Sequence, residues 1–467
     1  MDTTSLYAEW KKIYPRYQSG FFRTFRLWLY AGEMGIFFLL PWMRWERPGG
    51  LPNQAILYDL PGRKFYIFDW VIWPQDIILL AFLLVAAAIG LFFITALAGR
   101  VFCGYMCQQT LWTDLFLLIE KFFEGHRNAR MKLDRSPWSL AKLRIKIAKH
   151  GVWFLVSLLT GLSFVLYFGD APTLFKQFLD GSAPFAAWFT LGFLTVTTYV
   201  MAGFAREQAC IYMCPYARFQ GVMFDEDTLI VAYHPEYGEP RESNRRKRTE
   251  MGEAVGSCID CNSCVTVCPT GIDIRNGQQY ECITCGACID ACDEVKLKTG
   301  MKERLIRYTS LREMREGKTR WIRGRTIVYA LLLSIFLGGI VVYMERHDAV
   351  EFTAIGHRQP LYITQTDGSI QNNFTVRVLN MTSTPQTYAL GITGLPGAAL
   401  VVGAVTERDA EGRPLLSVTP GSVTTYSAYV RQACASVESG SLDFQFTLDA
   451  QSPTGGTATY KSVFMRP

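Results

Sequence analysis

The sequence predicts a multi-domain membrane protein of three dissimilar parts: an α-helical transmembrane bundle of about five spans, a small cysteine-ligated domain, and a C-terminal all-β sandwich of immunoglobulin-like architecture. Three observations predict it. Apolar runs close to the ~20 residues that cross a bilayer recur between Leu27 and Met344. The stretch Cys258 to Cys292 holds eight of the chain's 13 cysteines. From about His347 the pattern changes to short alternating segments separated by Gly/Pro turns.

Composition sets the bounds. A chain of 467 residues with 49% hydrophobic and 14% aromatic residues is too long for the cysteine domain alone and rich in apolar side chains for a soluble protein. A net charge of +6 is modest, so no nucleic-acid partner is expected. The first apolar run starts only at Leu27 and contains Glu33, so no cleavable signal peptide is expected. Eight closely spaced cysteines that must stay reduced to act as ligands need a reducing compartment, the bacterial cytoplasm by preference. Cys434 has no partner in the tail.

Taken in order, residues 1–26 are polar, aromatic and basic, with Lys11, Lys12, Arg16, Arg23 and Arg26 forming a cytoplasmic flank. Residues 27–206 read as a four-span membrane domain with a cytoplasmic loop at 99–150. Its first span, Leu27–Met43, is short and carries Glu33, a relay group on the bundle interior or a carboxylate reaching the interface. Arg44–Gln75 is broken by Pro and Gly, and its Phe68–Trp73 stretch reads as interfacial. Ile77–Ala98 is an uncharged run, Val152–Phe168 returns outward and Phe185–Phe204 comes back. Basic residues from Lys121 to Lys149 mark the loop as cytoplasmic. Residues 207–326 hold the cysteine domain at about 250–300, flanked by the basic stretches Arg241–Arg248 and Lys296–Arg325, and Ile327–Met344 carries the chain outward. Residues 345–467 form the periplasmic tail, with strands expected at Leu361–Gln365, Asn373–Leu379, Thr387–Thr393, Ala399–Val405, Ser422–Val430, Leu442–Leu448 and Ala458–Phe464. His357 reads as an ordinary surface histidine.

The cysteine domain carries the chemistry. Cys258-x-x-Cys261-x-x-Cys264-x-x-x-Cys268-Pro269 is followed by Cys282-x-x-Cys285-x-x-Cys288-x-x-x-Cys292, the bacterial two-cluster ferredoxin spacing written twice. In that pattern three thiolates hold one [4Fe–4S] cube and the fourth belongs to the other. Cys258, Cys261, Cys264 and Cys292 are thus expected to hold cluster 1, and Cys268, Cys282, Cys285 and Cys288 cluster 2. Zinc knuckles or a disulfide framework are the competing readings, and the doubled triplet with crossed fourth ligands argues against both. Gly271 and Gly286 are expected to relieve crowding near the cluster sulfurs. Asp293 stands where the second motif lacks a proline, which removes no ligand.

Cys103/Cys107 and Cys210/Cys214 are two further Cys-x-x-x-Cys pairs, each just past the inner end of a membrane helix. If those helices continue, each pair lies on one face at i, i+4. Four converging thiolates would suit Cu(I), zinc or iron–sulfur, or a dithiol/disulfide relay. Small buried cysteines are the bland alternative, against which the shared Tyr-Met-Cys context (Tyr105-Met106-Cys107, Tyr212-Met213-Cys214) argues.

Cys103-Gly104-Tyr105-Met106-Cys107-Gln108-Gln109-Thr110-Leu111-Trp112-Thr113-Asp114, Cys210-Ile211-Tyr212-Met213-Cys214-Pro215-Tyr216-Ala217-Arg218-Phe219-Gln220 and the double ferredoxin motif together resemble the cytochrome c oxidase accessory family CcoG (FixG, RdxA) over nearly the whole chain. The departure is Gln108, where that family usually has proline, which puts the local helix geometry in question. The resemblance implies a multi-pass protein of the bacterial inner membrane, ferredoxin domain inside and Ig-like domain outside. It also implies a cupric reductase supplying Cu(I) for assembly of a cbb3-type oxidase, with oxidase subunits and copper-handling assembly proteins as partners. Copper would be substrate or transient ligand at Cys103, Cys107, Cys210 and Cys214. A non-catalytic copper chaperone or scaffold, and a conduit from quinol or a flavoprotein to another acceptor, are the alternatives. The electron donor is unnamed by the sequence, and homodimerisation stays open.

Overall fold

The computed structural model describes residues 12–241, 255–301, 304–345, 349–382, 384–433, 440–452 and 455–466. Lys11, the basic run 242–248, Cys434 and the turn residues Pro453 and Thr454 lie outside them. The chain forms two compact units, residues 1–43, 58–60 and 74–340 in one, and 44–57, 61–73 and 341–467 in the other.

In the first unit, α1 (Phe21–Leu39), α2 (Ile77–Ala98), α3 (Val101–Tyr105), α4 (Gln108–Glu124), α5 (Arg127–Arg135), α6 (Leu140–Val165), α7 (Ala171–Leu179), α8 (Phe185–Val200) and α9 (Pro215–Met223) precede the cysteine domain. Among the described residues, four helical stretches are long and apolar enough to cross a membrane: Ile77–Ala98, Leu140–Phe168, Phe185–Ala205 and Gly324–Glu345. The expected first span, 27–43, differs. Its helix begins at Phe21 and takes in Arg23, Arg26 and Glu33, so α1 has the length of a span without the composition. Arg26 is buried, 3.8 Å from Asp114 of α4 and hydrogen-bonded to Tyr30, which offsets its charge.

A second difference is α6, which starts at Leu140 rather than Val152. The Ser139 hydroxyl accepts from the Lys142 amide and caps it, and the basic residues expected in a loop become its first turns. Lys146 and Lys149 pair there with Glu124 at 2.8 and 2.9 Å. Below them Trp153 stacks on Phe116, ring centroids 5.0 Å apart, in a core with Tyr30, Leu111, Trp112 and Ala202.

The cysteine domain is framed by Ile230–Tyr233 paired antiparallel with Ile306–Thr309, and by helices Ser263–Val267 and Ala287–Lys298. Val231, Ile274, Ile289, Leu305 and Ile306 fill its core. Residues 12–20 run as an extended strap over it: the Arg16 amide donates to Thr266 O at 2.7 Å, and Arg127 and Arg130 of α5 hold Tyr14 O and Pro15 O. At the strap's end the Asp290 carboxylate accepts from the Phe22 and Arg23 amides at 3.2 and 2.8 Å. Gly20, the residue before α1, offers no capping side chain, so the cap for α1 comes from the cysteine domain.

In the second unit, strands Ala399–Val402, Val423–Gln432, Ile370–Asn380 and Val350–Gly356 form one sheet in that order, with Ile363–Thr364 on the Ile370 strand. Leu415–Val418, Gln386–Thr393, Ser441–Ala450 and Thr457–Met465 form the other. Alternating residues such as Phe374, Val376, Val378, Leu390, Val430, Phe446 and Leu448 are buried between them. All seven expected strands lie within or across these, and Val350–Gly356 and Leu415–Val418 are additional. Phe68–Trp73, expected as interfacial, takes part in a small sheet in which Lys64–Ile67 pairs with Trp70–Ile72, and Trp73 is buried while Trp70 stays exposed. Lys64 lies 4.6 Å from the Trp73 ring centre and donates to Gly421 O at 2.6 Å, so this segment folds with the C-terminal sandwich.

Candidate functional site

Helix starts and turns of the cysteine domain direct its eight thiols toward two cavities. Cys258, Cys261, Cys264 and Cys292 line one, and Cys268, Cys282, Cys285 and Cys288 the other, which Cys264 also borders. Cys292 thus sits with the first triplet and Cys268 with the second. Burial pushes the Cys282 and Cys292 thiols up to about 12 and Cys288 well above the ordinary thiol value, each raised further by neighbouring cysteines. So many thiolates crowded out of water need bound cationic charge to be stable. Among the described residues no three His, Cys, Asp or Glu side chains converge on a single ion, and the described cysteines form no disulfide. Sulfurs set back around a shared void fit a multi-atom cluster better than a zinc knuckle. The donor set therefore fits iron–sulfur clusters.

Gly271 and Gly286 both adopt positive φ, +72° and +73°. In this structure they make room for the N-terminal strap and the first turn of α1: a Cβ at Gly271 would stand 2.9 Å from Ile13, and one at Gly286 2.7 Å from Phe22.

The two Cys-x-x-x-Cys pairs come together, though not as continuous helix faces. Cys103 lies in α3, while Cys107 is extended (φ −73°, ψ 126°) and opens α4. Cys210 lies in a π-helical turn, Ala209–Met213, and Cys214 is extended (φ −78°, ψ 113°) before Pro215. Pro215 forces the residue before it out of the helical region. Cys107 takes the same conformation ahead of Gln108, so the proline is dispensable there and Gln108 preserves the geometry. Its neighbour Gln109 reaches across to Met201 O and Arg206 O at 2.9 and 3.1 Å, tying the first pair's helix to the chain that leads to the second.

Cys210 feels Cys107, Cys103 and Cys214, and burial with these neighbours pushes its thiol up to about 12. Burial likewise raises Cys103, opposed by the Arg100 guanidinium. Sequence reasoning missed this support. Arg100 is buried and donates to Gln220 at 2.8 Å and to Tyr280 O, while the Cys103 thiol lies 3.5 Å from Gln220 Oε1. Arg100 and Gln220 are 120 positions apart, so no local pattern signals them.

The first pair's segment also touches the cysteine domain. Cys103 packs with Ile283 and Cys285, and a Cβ on Gly104 would fall 2.7 Å from Ile283 O and 3.0 Å from Cys285 Cα. Tyr105 donates to Cys285 O at 3.3 Å, Tyr308 donates to Thr284 O at 2.6 Å, and the two tyrosine hydroxyls are 3.0 Å apart.

Residues 205–311 match the family profile of a 4Fe-4S dicluster domain, residues 80–126 that of a 4Fe-4S binding domain, and residues 340–467 that of the Ig-like fold at the C-terminus of FixG. The chain is 40% identical to the nitrogen fixation protein FixG of Rhizobium meliloti (strain 1021), over 96% of this chain and 91% of that one. It is 45% identical to protein RdxA of Cereibacter sphaeroides over 84% of each chain, and 44% identical to protein RdxB of the same organism over 89% of this chain and 87% of that one. Near-full-length identity at this level places the chain in the FixG (CcoG/RdxA) family, as a membrane iron–sulfur protein of electron transfer.

Proposed function

We propose that the protein reduces Cu(II) to Cu(I) at Cys103, Cys107, Cys210 and Cys214, for the copper centre of a cbb3-type cytochrome c oxidase. [4Fe–4S] clusters at the two ferredoxin ligand sets would supply one-electron carriers at low potential. Each cupric ion takes one electron and releases no proton. Soft thiolates favour the cuprous product, so the four cysteines bias the reduction by holding Cu(I) more tightly than Cu(II). The observation that carries this reading is Gly104: with no side chain there, the Cys103–Cys107 turn lies directly against the Ile283–Cys285 backbone of a cluster-ligand loop.

The arrangement proposed is a bacterial inner-membrane protein with the ferredoxin domain cytoplasmic and the Ig-like domain periplasmic, where oxidase subunits and copper-handling assembly proteins would dock. The strap before α1 binds the cysteine domain, and the chain after α1 contributes 44–57 and 61–73 to the unit of the C-terminal sandwich. That connectivity supports α1 as a fifth crossing, despite its charges.

A second reading has one observation in its favour. The 4Fe-4S binding profile over 80–126 includes Cys103 and Cys107, so these thiols, with Cys210 and Cys214, would hold an iron–sulfur group and the chain would be an electron conduit. The double variant Cys210→Ser/Cys214→Ser separates the two. Iron, copper and Cu(II) reduction are measured on one purified sample. Copper reduction is expected to vanish with iron unchanged; a fall in iron favours the conduit, and undiminished reduction overturns the four-thiolate site.

A further inference from the structure

A cavity of about 550 Å³ lies elsewhere, between the start of α6 and the turn that follows α8. That is within the range of about 300–1,000 Å³ typical of small-molecule sites. His150, Trp153 and Phe204 form an aromatic wall: the His150 ring stacks on Phe204 at 6.0 Å and meets Trp153 edge-on at 5.0 Å. Gly203 lets the chain pack closely against the back of this wall, since a Cβ there would meet the Trp153 ring at 3.0 Å. The chain widens at this point into a π-helical turn, Met201–Ala205, a distortion that recurs at functional sites.

Three features narrow the ligand. First, the lysines and arginine on the lining are committed: Arg206 and Lys149 to Glu120 at 2.6 and 3.5 Å, Lys146 to Glu124 and Asp134 at 2.8 and 2.6 Å, and Lys12 to Asp134 at 2.7 Å. A phosphate would have to break those pairs, so the ligand is neutral. Second, Leu143, Ile147 and Phe204 border the cavity and are exposed at the ends of two helices long and apolar enough to cross a membrane, so the mouth opens at the membrane's edge and admits a ligand from lipid. Third, Glu207 lines this cavity and also a smaller one shared with Cys210, Thr270 and Ile283. The occupant therefore sits beside the redox-active part of the molecule.

A flat, neutral, lipid-borne ring with few polar atoms meets all three conditions, and we propose that the cavity binds the ring of a membrane quinone or hydroquinone. The His150 imidazole, hydrogen-bonded to Tyr199 at 2.8 Å through Nδ1, provides the polar group within the aromatic wall. This rests on the electron-transfer reading but not on copper as the acceptor, and its test measures binding alone.

The full chain, loaded with iron and sulfide in phosphatidylcholine nanodiscs, is titrated with decylubiquinone by tryptophan fluorescence and by calorimetry, without copper. Saturable binding is expected. Ile147→Trp and Leu143→Trp, at exposed positions that leave the core intact, are expected to fill the mouth and weaken binding about tenfold or more, with iron content unchanged. Binding that does not saturate, affinity the same in both variants as in the parent, or equal displacement by a single-chain phosphocholine would each overturn the proposal. Copper reduction assayed separately with a chemical reductant tells failure here from failure of the copper reading.

Discussion

At the scale of single residues, Gly104 and Arg100 set the relation between the two thiol groups. Gly104 lets two backbones touch, and a methyl at its Cα would stand 2.7 Å from a carbonyl oxygen that is itself fixed by the neighbouring ligand loop. Overpacking of this kind costs about 1–3 kcal/mol. Gly104→Ala is therefore expected to lower the thermal unfolding midpoint and slow Cu(II) reduction while all twelve motif cysteines remain. An unchanged midpoint and rate would mean that the ligand loop yields. The cysteines were legible because metal ligation leaves a spacing signature. The glycine was not, since its role depends on a loop 179 positions away. Gln108 shows the opposite lesson: the missing proline drew attention, yet Cys107 keeps the extended backbone that Cys214 has ahead of Pro215.

Among elements, α4 is held at its C-terminal end by charge rather than by apolar packing. Glu120 is 2% exposed and lies 2.6 Å from Arg206, 3.1 Å from Arg130 and 3.5 Å from Lys149, joining α4 to α5, α6 and the turn after α8. Burial pushes its carboxyl up, but the three cations outweigh burial and hold it below the usual range. Removing one partner strands the others in low dielectric. Glu120→Gln is expected to cost about 3–5 kcal/mol, read as a lower unfolding midpoint in detergent by scanning fluorimetry; no shift would show that solvent already screens the network. Helix α2 was legible from composition because nothing charged interrupts it. The start of α6 was not, because its lysines look like a loop until their carboxylate partners on α4 and α5 are in place.

For the whole molecule, the basic residues of α5 and α6 and the ferredoxin ligands belong to one unit, and the sandwich to the other. A phosphatase reporter fused after residue 466 is expected to be active in the periplasm, and a fluorescent reporter inserted near Lys298 only in the cytoplasm; the reverse pattern would sink the proposed orientation. The sandwich was readable from its alternation, whereas residues 61–73 were not readable as part of it, since their partner Gly421 lies 357 positions from Lys64. The strap adds a matter of timing. A ribosome makes Phe22 first and the Asp290 that receives its amide 268 residues later. The first helix thus leaves the tunnel without its cap, and the strap can seat only on a cysteine domain that is already folded. Where folding of such a domain waits on its metal ligation, closure of the N-terminal strap becomes a late maturation step, and a chain starved of iron is expected to be clipped early at its amino terminus.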